Sequence, residues 1–189
     1  MRKVPISGGP HSGKTTLLEA LRGEFEHAYF VAEPAERVIT RELAKQAEDA
    51  AYTPNVPWID YSKFGPAVAD ESVILEADIP YEADLVFQDR SLIDTIAYCK
   101  LNGFESIIPE VERRIKVARY SLALFCEPVG TYTATEVRRE TAEEAQRTHD
   151  FLAEAYDHSG ITVVHLPAVQ VSERLSIVRN AIAEAYAYY

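Results

Sequence analysis

Apolar residues along this chain switch repeatedly between two periods. Short unbroken apolar runs suit strands buried on both faces, and they alternate with stretches whose apolar residues recur every three or four positions, as in helices. The first run is Lys3-Val4-Pro5-Ile6. Pro5 either weakens this strand or sits where one backbone donor is not needed. Thr15 to Leu21 reads as a helix with Leu17, Leu18 and Leu21 inward, stopping at Gly23. Ala28 to Ala32 is a second strand, ending in Glu33-Pro34, and Pro34 suits the first turn of a helix. That helix carries Ala35, Ile39, Leu43, Ala47 and Ala50 along one face. Tyr52 to Pro57 holds two prolines and reads as a loop. Trp58 to Ala77 is helical in its later part, with a break expected at Gly65-Pro66. Asp84 to Asp89 is a buried parallel strand. Ser91 then caps a helix, with Asp94 three positions later as its capping-box partner, and Asn102-Gly103 ends it. Pro109 to Arg119 is helical, Tyr120 to Cys126 is a strand, and Glu127-Pro128 follows. Thr141 to His158 is a helix with Ala145, His149, Leu152 and Tyr156 in line, stopped by Gly160. Ile161 to Leu166 is the last strand, and Val171, Leu175, Val178, Ile182 and Ala185 mark the last helix.

About five strands alternating with helices specify an α/β fold, a parallel sheet with right-handed crossovers and helices on both faces. Ligands of such sheets collect beyond the carboxyl ends of the strands. A length of 189 residues favours one domain over 1–189, and a hydrophobic content of 47% suffices for a sizeable core. No stretch approaches the ~20 apolar residues of a membrane span. The N-terminus enters the first strand almost at once, so no signal peptide and a cytoplasmic location are expected. Cys99 and Cys126 then read as two buried thiols in a reducing compartment. The net charge of −11 argues against a general nucleic-acid binder, which needs a basic face, but leaves room for an anionic substrate held by a few local cations.

Gly8-Gly9-Pro10-His11-Ser12-Gly13-Lys14-Thr15, followed by Thr16, changes the picture from fold to chemistry. It fits the G-x-x-x-x-G-K-[ST] phosphate-binding pattern, and it lies between a strand and a helix as that pattern requires. A polyphosphate needs many donors at short range. Gly8 and Gly13 allow backbone angles that turn successive N–H groups inward. Lys14 supplies a point charge for the terminal phosphates, and Thr15 supplies a hydroxyl for a magnesium ion. The helix beginning here aims its positive end at the same place. His11 occupies a variable position with its side chain expected to point outward.

The other strand ends supply Glu33, Asp89-Arg90 and Glu127. Carboxylates near a polyphosphate repel it unless they hold a metal or a proton. Asp89 closes a hydrophobic run, the usual setting of a magnesium-binding aspartate, or serves as a helix or turn cap. Glu33 suits a base that accepts the proton of an attacking hydroxyl, or an acid at a helix N-terminus. Arg90 suits a phosphate or second-substrate contact, or a salt bridge to Asp94 or Glu33. Glu127 reads as structural. Arg37, Arg41 and Lys45 form a helical stripe of the solvated kind, with Arg37 near enough to Glu33 to hold an acceptor. Arg138-Arg139 falls in a long connection placed like a lid over about 129–150, and reads either as a closing arginine pair or as a solvated charge pair. Trp58, with Tyr52, Tyr61 and Phe64, forms an aromatic patch suited to core packing or to stacking a planar substrate. His149 reads as a packed or hinge residue.

Ile6 to Thr16, Glu33-Pro34-Ala35-Glu36-Arg37, Gln88 to Thr95 and Val137 to His149 together carry a resemblance over nearly the whole chain. The chain resembles the P-loop family of nucleoside-kinase-like AAA proteins, which includes the nicotinamide riboside kinase domain of bacterial NAD regulators. The resemblance implies a P-loop NTPase three-layer sandwich with an arginine-bearing lid, Mg2+ and ATP as co-substrate, and Glu33 or Asp89 near the acceptor hydroxyl. The function expected is a kinase moving the γ-phosphate of Mg-ATP to a hydroxyl of a small molecule such as a nucleoside. In it Lys14, Thr15 and Asp89 hold Mg-ATP, Glu33 is the base, and Arg90, Arg138 and Arg139 stabilise the transferring group. A nucleotide-dependent binding module with slow hydrolysis is the alternative. No Asn-Lys-x-Asp stretch reads guanine, and Arg90 stands where a mechanical ring ATPase carries a glutamate. Tyr186, Tyr188 and Tyr189 are either a homodimer patch or a frayed end.

Overall fold

The structure is a computed structural model that describes residues 1–129 and 141–186. Strands β1 (Arg2–Ser7), β2 (Tyr29–Val31), β3 (Leu85–Asp89), β4 (Leu122–Cys126) and β5 (Thr162–Leu166) alternate with helices. These are α1 (Lys14–Glu24), α2 (Pro34–Glu48), α3 (Tyr61–Ala77), α4 (Leu92–Leu101), α5 (Ile108–Ala118), α6 (Ala142–Asp157) and α7 (Val171–Tyr186). The five strands form one parallel sheet in the order β2-β3-β1-β4-β5. The chain moves outward from β1 to β2 on one side, returns through β3, and crosses to β4 on the other. β1 is therefore the point where strand order reverses, and a crevice opens beyond its carboxyl end.

Alternation along β4 shows how the sheet divides its core. Leu122, Leu124 and Cys126 pack with Leu17, Leu21 and Val178, from α1 and α7. Ala123 and Phe125 turn the other way, to Ile93, Leu152 and Tyr156 of α4 and α6. Both sheet faces are thus covered, giving the three layers expected.

Pro5 lies in the central strand, and its missing donor leaves a visible trace. The pairing of β1 with β3 runs unbroken from Arg2 to Ile6. Toward β4 there is only a bridge between Lys3 and Tyr120, then pairing from Ile6 with Leu124. Three steps on β1 face four on the β4 side, so the ladder breaks and bulges where the proline faces it.

Two expectations need correction. Helix α3 runs through Gly65 and Pro66 without a break. Asp60 caps it by accepting from the Ser62 amide at 3.0 Å, and the Tyr61 ring lies over Gly65 where a Cβ would sit 3.0 Å away. Pro66 falls early in the helix, so its cost is the loss of one backbone bond. On α2 the buried face is Pro34, Val38 and Glu42, one position away from the stripe read in the sequence. Leu43 is exposed, whereas Glu42 is buried and accepts from Lys45, the Tyr52 hydroxyl and the Asn55 amide. These donors hold its carboxyl down at about 2, led by Lys45. Ala35 and Ile39 are half-buried because they face a cavity described below rather than the core.

Cys99 and Cys126 are free and buried, and burial pushes both thiols up to about 11. No described helix is long and apolar enough to cross a membrane.

Candidate functional site

The phosphate loop fills the crevice beyond β1. Gly8 has φ 149°, and a Cβ there would lie 2.5 Å from the Cys126 carbonyl oxygen, so both the conformation and the close approach require glycine. Gly13 caps α1 in the left-handed region at φ 72°. A Cβ on Gly9 would meet the Cβ of His149 at 2.7 Å, so α6 passes directly behind the loop. Thr15 and Thr16 are exposed on the first turn of α1. His11 is half-buried with its Nε2 shielded from solvent, against the outward orientation expected: the left-handed backbone at φ 59° and the loop's packing on β4 and α6 turn it in.

Lys14 Nζ pairs with Asp89 Oδ1 and lies 3.7 Å from Glu33 Oε2. These three come from the starts of α1 and α2 and the end of β3, brought together because β3 lies between β1 and β2. Burial raises the Asp89 carboxyl above its usual range, with Lys14 pulling it down and Glu33 pushing it up. Arg90 follows in a left-handed conformation, φ 66°, which costs a non-glycine residue roughly 1 kcal/mol. That turn sends its guanidinium back to donate to Glu33 at 3.1 Å and to Asp94 at 3.0 Å. Burial works against its charge, but Tyr98, Glu33 and Asp94 outweigh it and hold the guanidinium more firmly protonated than usual. The salt-bridge alternatives for Arg90 are therefore both realised.

Asp94 is the hub behind this row. The capping box with Ser91 is present as expected. The same carboxylate also accepts from the Ser7 hydroxyl at 2.5 Å and the Tyr156 hydroxyl at 2.6 Å. It so ties the end of β1 and the C-terminal end of α6 to α4.

Glu33, Arg90 and Asp94 form one end of a cavity of about 300 Å³. Its walls are largely apolar: Ala35 and Ile39 from α2, Tyr61, Phe64 and Val68 from α3, and Tyr98 from α4. A mostly apolar hollow with a few convergent polar groups is the usual form of a small-molecule site. Of the aromatic patch, Tyr61 and Phe64 reach it, Tyr52 serves Glu42, and Trp58 stands 67% exposed outside it. Arg37 is also outside; with Arg41 it pairs with the buried Glu71 at 2.9 and 2.6 Å. Beside the loop, Glu127 accepts from His165 at 2.9 Å, and its other carboxylate oxygen lies 3.2 Å from His149 Nε2. Residues 141–150 of the expected lid belong to α6 or cap it, and 130–140, including Arg138 and Arg139, lie outside the described residues.

Sequence reasoning missed Arg174. It is 2% exposed on α7 and donates to three carbonyls: Ser12 at 2.5 Å, Glu127 at 2.7 Å and Pro167 at 2.7 Å. It therefore holds the phosphate loop to the ends of β4 and β5. The available signal was a lone arginine between Val171 and Val178 on an apolar stripe. Arg174→Met is expected to destabilise the fold by about 2–4 kcal/mol in urea unfolding, because three carbonyls lose a charged donor. Arg174→Lys should recover little of it, since an ammonium cannot reach three diverging oxygens as the planar fork does.

A parallel sheet in this strand order, with a phosphate loop at its switch point and a half-buried lysine–aspartate pair beside it, defines a P-loop nucleotide-binding domain. The family model described as AAA domain matches residues 3–174, and the chain belongs to that family. Among solved structures it is similar to the NadR protein crystallised in complex with NAD and AMP-PNP, at 23% identity and a TM-score of 0.62. That likeness covers 100% of this chain and 50% of the NadR chain, so this chain spans half that protein's length. No curated protein matches it.

Proposed function

We propose that the protein is a kinase that transfers the γ-phosphate of Mg-ATP to a hydroxyl of a small neutral molecule of the nucleoside kind. One observation carries the reading: Glu33 belongs to both halves of the site. It lies 3.7 Å from the phosphate-loop lysine and also lines the apolar cavity. A carboxylate at that junction is where a base must be to take a proton from an acceptor hydroxyl facing the γ-phosphate. The NadR structure's nucleotide ligands agree with this reading.

The residues divide the work as their positions allow. Backbone amides of Gly9 to Lys14 and the start of α1 take the phosphate oxygens. Lys14 exchanges its contact with Asp89 for the terminal phosphates. Asp89, released, and Thr15 are oxygen donors of the kind magnesium accepts, with substrate phosphates and water completing its shell. Among the described residues no group of three or more His, Cys, Asp or Glu could cage a metal alone, which fits a metal that arrives with its nucleotide. Bound there, the ion would neutralise charge on the β- and γ-phosphates. Glu33 orients the acceptor hydroxyl and receives its proton, while Arg90 fixes the carboxylate's position from the other side.

Chelating magnesium should therefore weaken nucleotide binding strongly, by about 100-fold in titration with a fluorescent ATP analogue, because Asp89 and Glu33 would then face bare phosphates. The kinase reading itself is tested with γ-labelled ATP and a panel of nucleosides and vitamins. Label on one acceptor supports it. Label appearing only as free phosphate with every compound rejects it in favour of a hydrolysing binding module.

A further inference from the structure

One buried hydroxyl among the residues lining the cavity has no partner among the described residues. Ser91, Asp94, Thr95, Tyr98 and Asn102 recur along α4 at helical spacing and present one continuous face to the hollow. Asp94 is saturated by its donors and Ser91 is bonded to Tyr156 at 3.0 Å. Thr95 differs. It is 3% exposed, and its Oγ1 has no hydrogen-bond partner among the described residues. A threonine inside a helix ordinarily bonds back to the carbonyl one turn earlier, but this one does not. A buried hydroxyl without a partner costs about 1–3 kcal/mol, so its retention on a cavity wall calls for a compensating group beyond the described residues, which a bound ligand supplies.

We propose that Thr95 reads the acceptor: its hydroxyl forms the hydrogen bond that selects a neutral, ring-bearing hydroxyl compound by a second polar atom on that ring. The assignment rests on the kinase reading's acceptor site and deepens it. Thr95 lies one helical turn beyond Ser91, roughly 6 Å further along the α4 axis. An acceptor with its reactive hydroxyl at Glu33 must therefore extend a ring past Asp94 to reach it, between Tyr61 and Phe64 on one side and Tyr98 on the other. Charge restricts the class further. Arg90 is the one cation among the described residues lining the hollow, and Glu33 and Asp94 already engage it. An acceptor bearing a phosphate would bury charge with no partner, so the compound enters unphosphorylated. The Thr95 hydroxyl can donate or accept, and so suits a ring carbonyl, a ring nitrogen or a second hydroxyl.

The test uses the whole protein without ATP, titrated calorimetrically with uridine, cytidine, thymidine, adenosine, guanosine and inosine. The variants are Thr95→Val, which keeps the shape, and Thr95→Ser, which keeps the hydroxyl. The wild type should bind at least one nucleoside, Thr95→Val should bind it about ten-fold or more weakly, and Thr95→Ser should restore most of the affinity. In the same preparations the ligand-free Tm of Thr95→Val should equal or exceed that of the wild type, because no intramolecular bond is lost. Equal binding by Thr95→Val, a fall in its ligand-free Tm, or no nucleoside bound by the wild type would each overturn the assignment. Binding that depends on Thr95 without label transfer would reject the kinase and leave the reader in place; transfer indifferent to Thr95→Val would do the reverse.

Discussion

Lys14→Ala loses Mg-nucleotide affinity by about 100-fold or more, measured with a fluorescent ATP analogue, while the fold survives. The expectation follows from where the ammonium sits. It is largely buried, paired with Asp89 and near Glu33. A charged hydrogen bond to phosphate in such a place contributes about 1.5–3 kcal/mol directly. Its loss also leaves two carboxylates facing the incoming phosphates, and Coulomb repulsion at reduced dielectric adds to the first effect. The Asp89 carboxyl, already raised by burial, rises further without the lysine that lowers it. Below neutral pH the variant should thus bind magnesium even more poorly, since a larger fraction of Asp89 is protonated. Affinity equal to the parent's would overturn the nucleotide site and the kinase reading with it.

Glu33→Gln separates chemistry from binding. Glutamine keeps the size of the side chain and its contact with Arg90 but cannot take a proton. Transfer of the γ-phosphate should fall by about a thousand-fold, within the usual range for loss of a general base. ATP affinity should stay within about two-fold, because Lys14 and the loop amides remain. The two readings of Glu33 diverge here. An acid that merely favours the N-terminus of α2 would change stability by about 0.3–1 kcal/mol and leave turnover alone. A parallel fall in ATP affinity would move the base assignment elsewhere.

The layout of the fold was legible because each of its parts is encoded locally. Unbroken apolar runs gave the strands, and the loop between β1 and α1 combines glycine geometry with one lysine in a spacing few other structures need. The capping box of Ser91 and Asp94 was readable for the same reason. What escaped is encoded by distance. Asp94 looks like a cap in the sequence, and only the packing of α4 on α6 and β1 shows that it also gathers Ser7 and Tyr156. The buried face of α2 was misplaced because two of its faces are apolar, one for the core and one for the cavity. The helix through Pro66 depended on the Asp60 cap and on the Tyr61 ring lying over Gly65, neither of which has a signature of its own. Arg37 drew attention by standing near Glu33 in sequence, but Glu71, a helix away, holds it.

Arg174 sets a limit on how this domain can be shortened or rebuilt. The family match stops at residue 174, so a version cut at that boundary would retain every recognisable motif. It would also strip the arginine of the helix that anchors it through Val178. A trimmed protein of that kind should present a phosphate loop of correct spelling and slack shape. The last helix therefore holds the phosphate loop in place, though no motif in it says so.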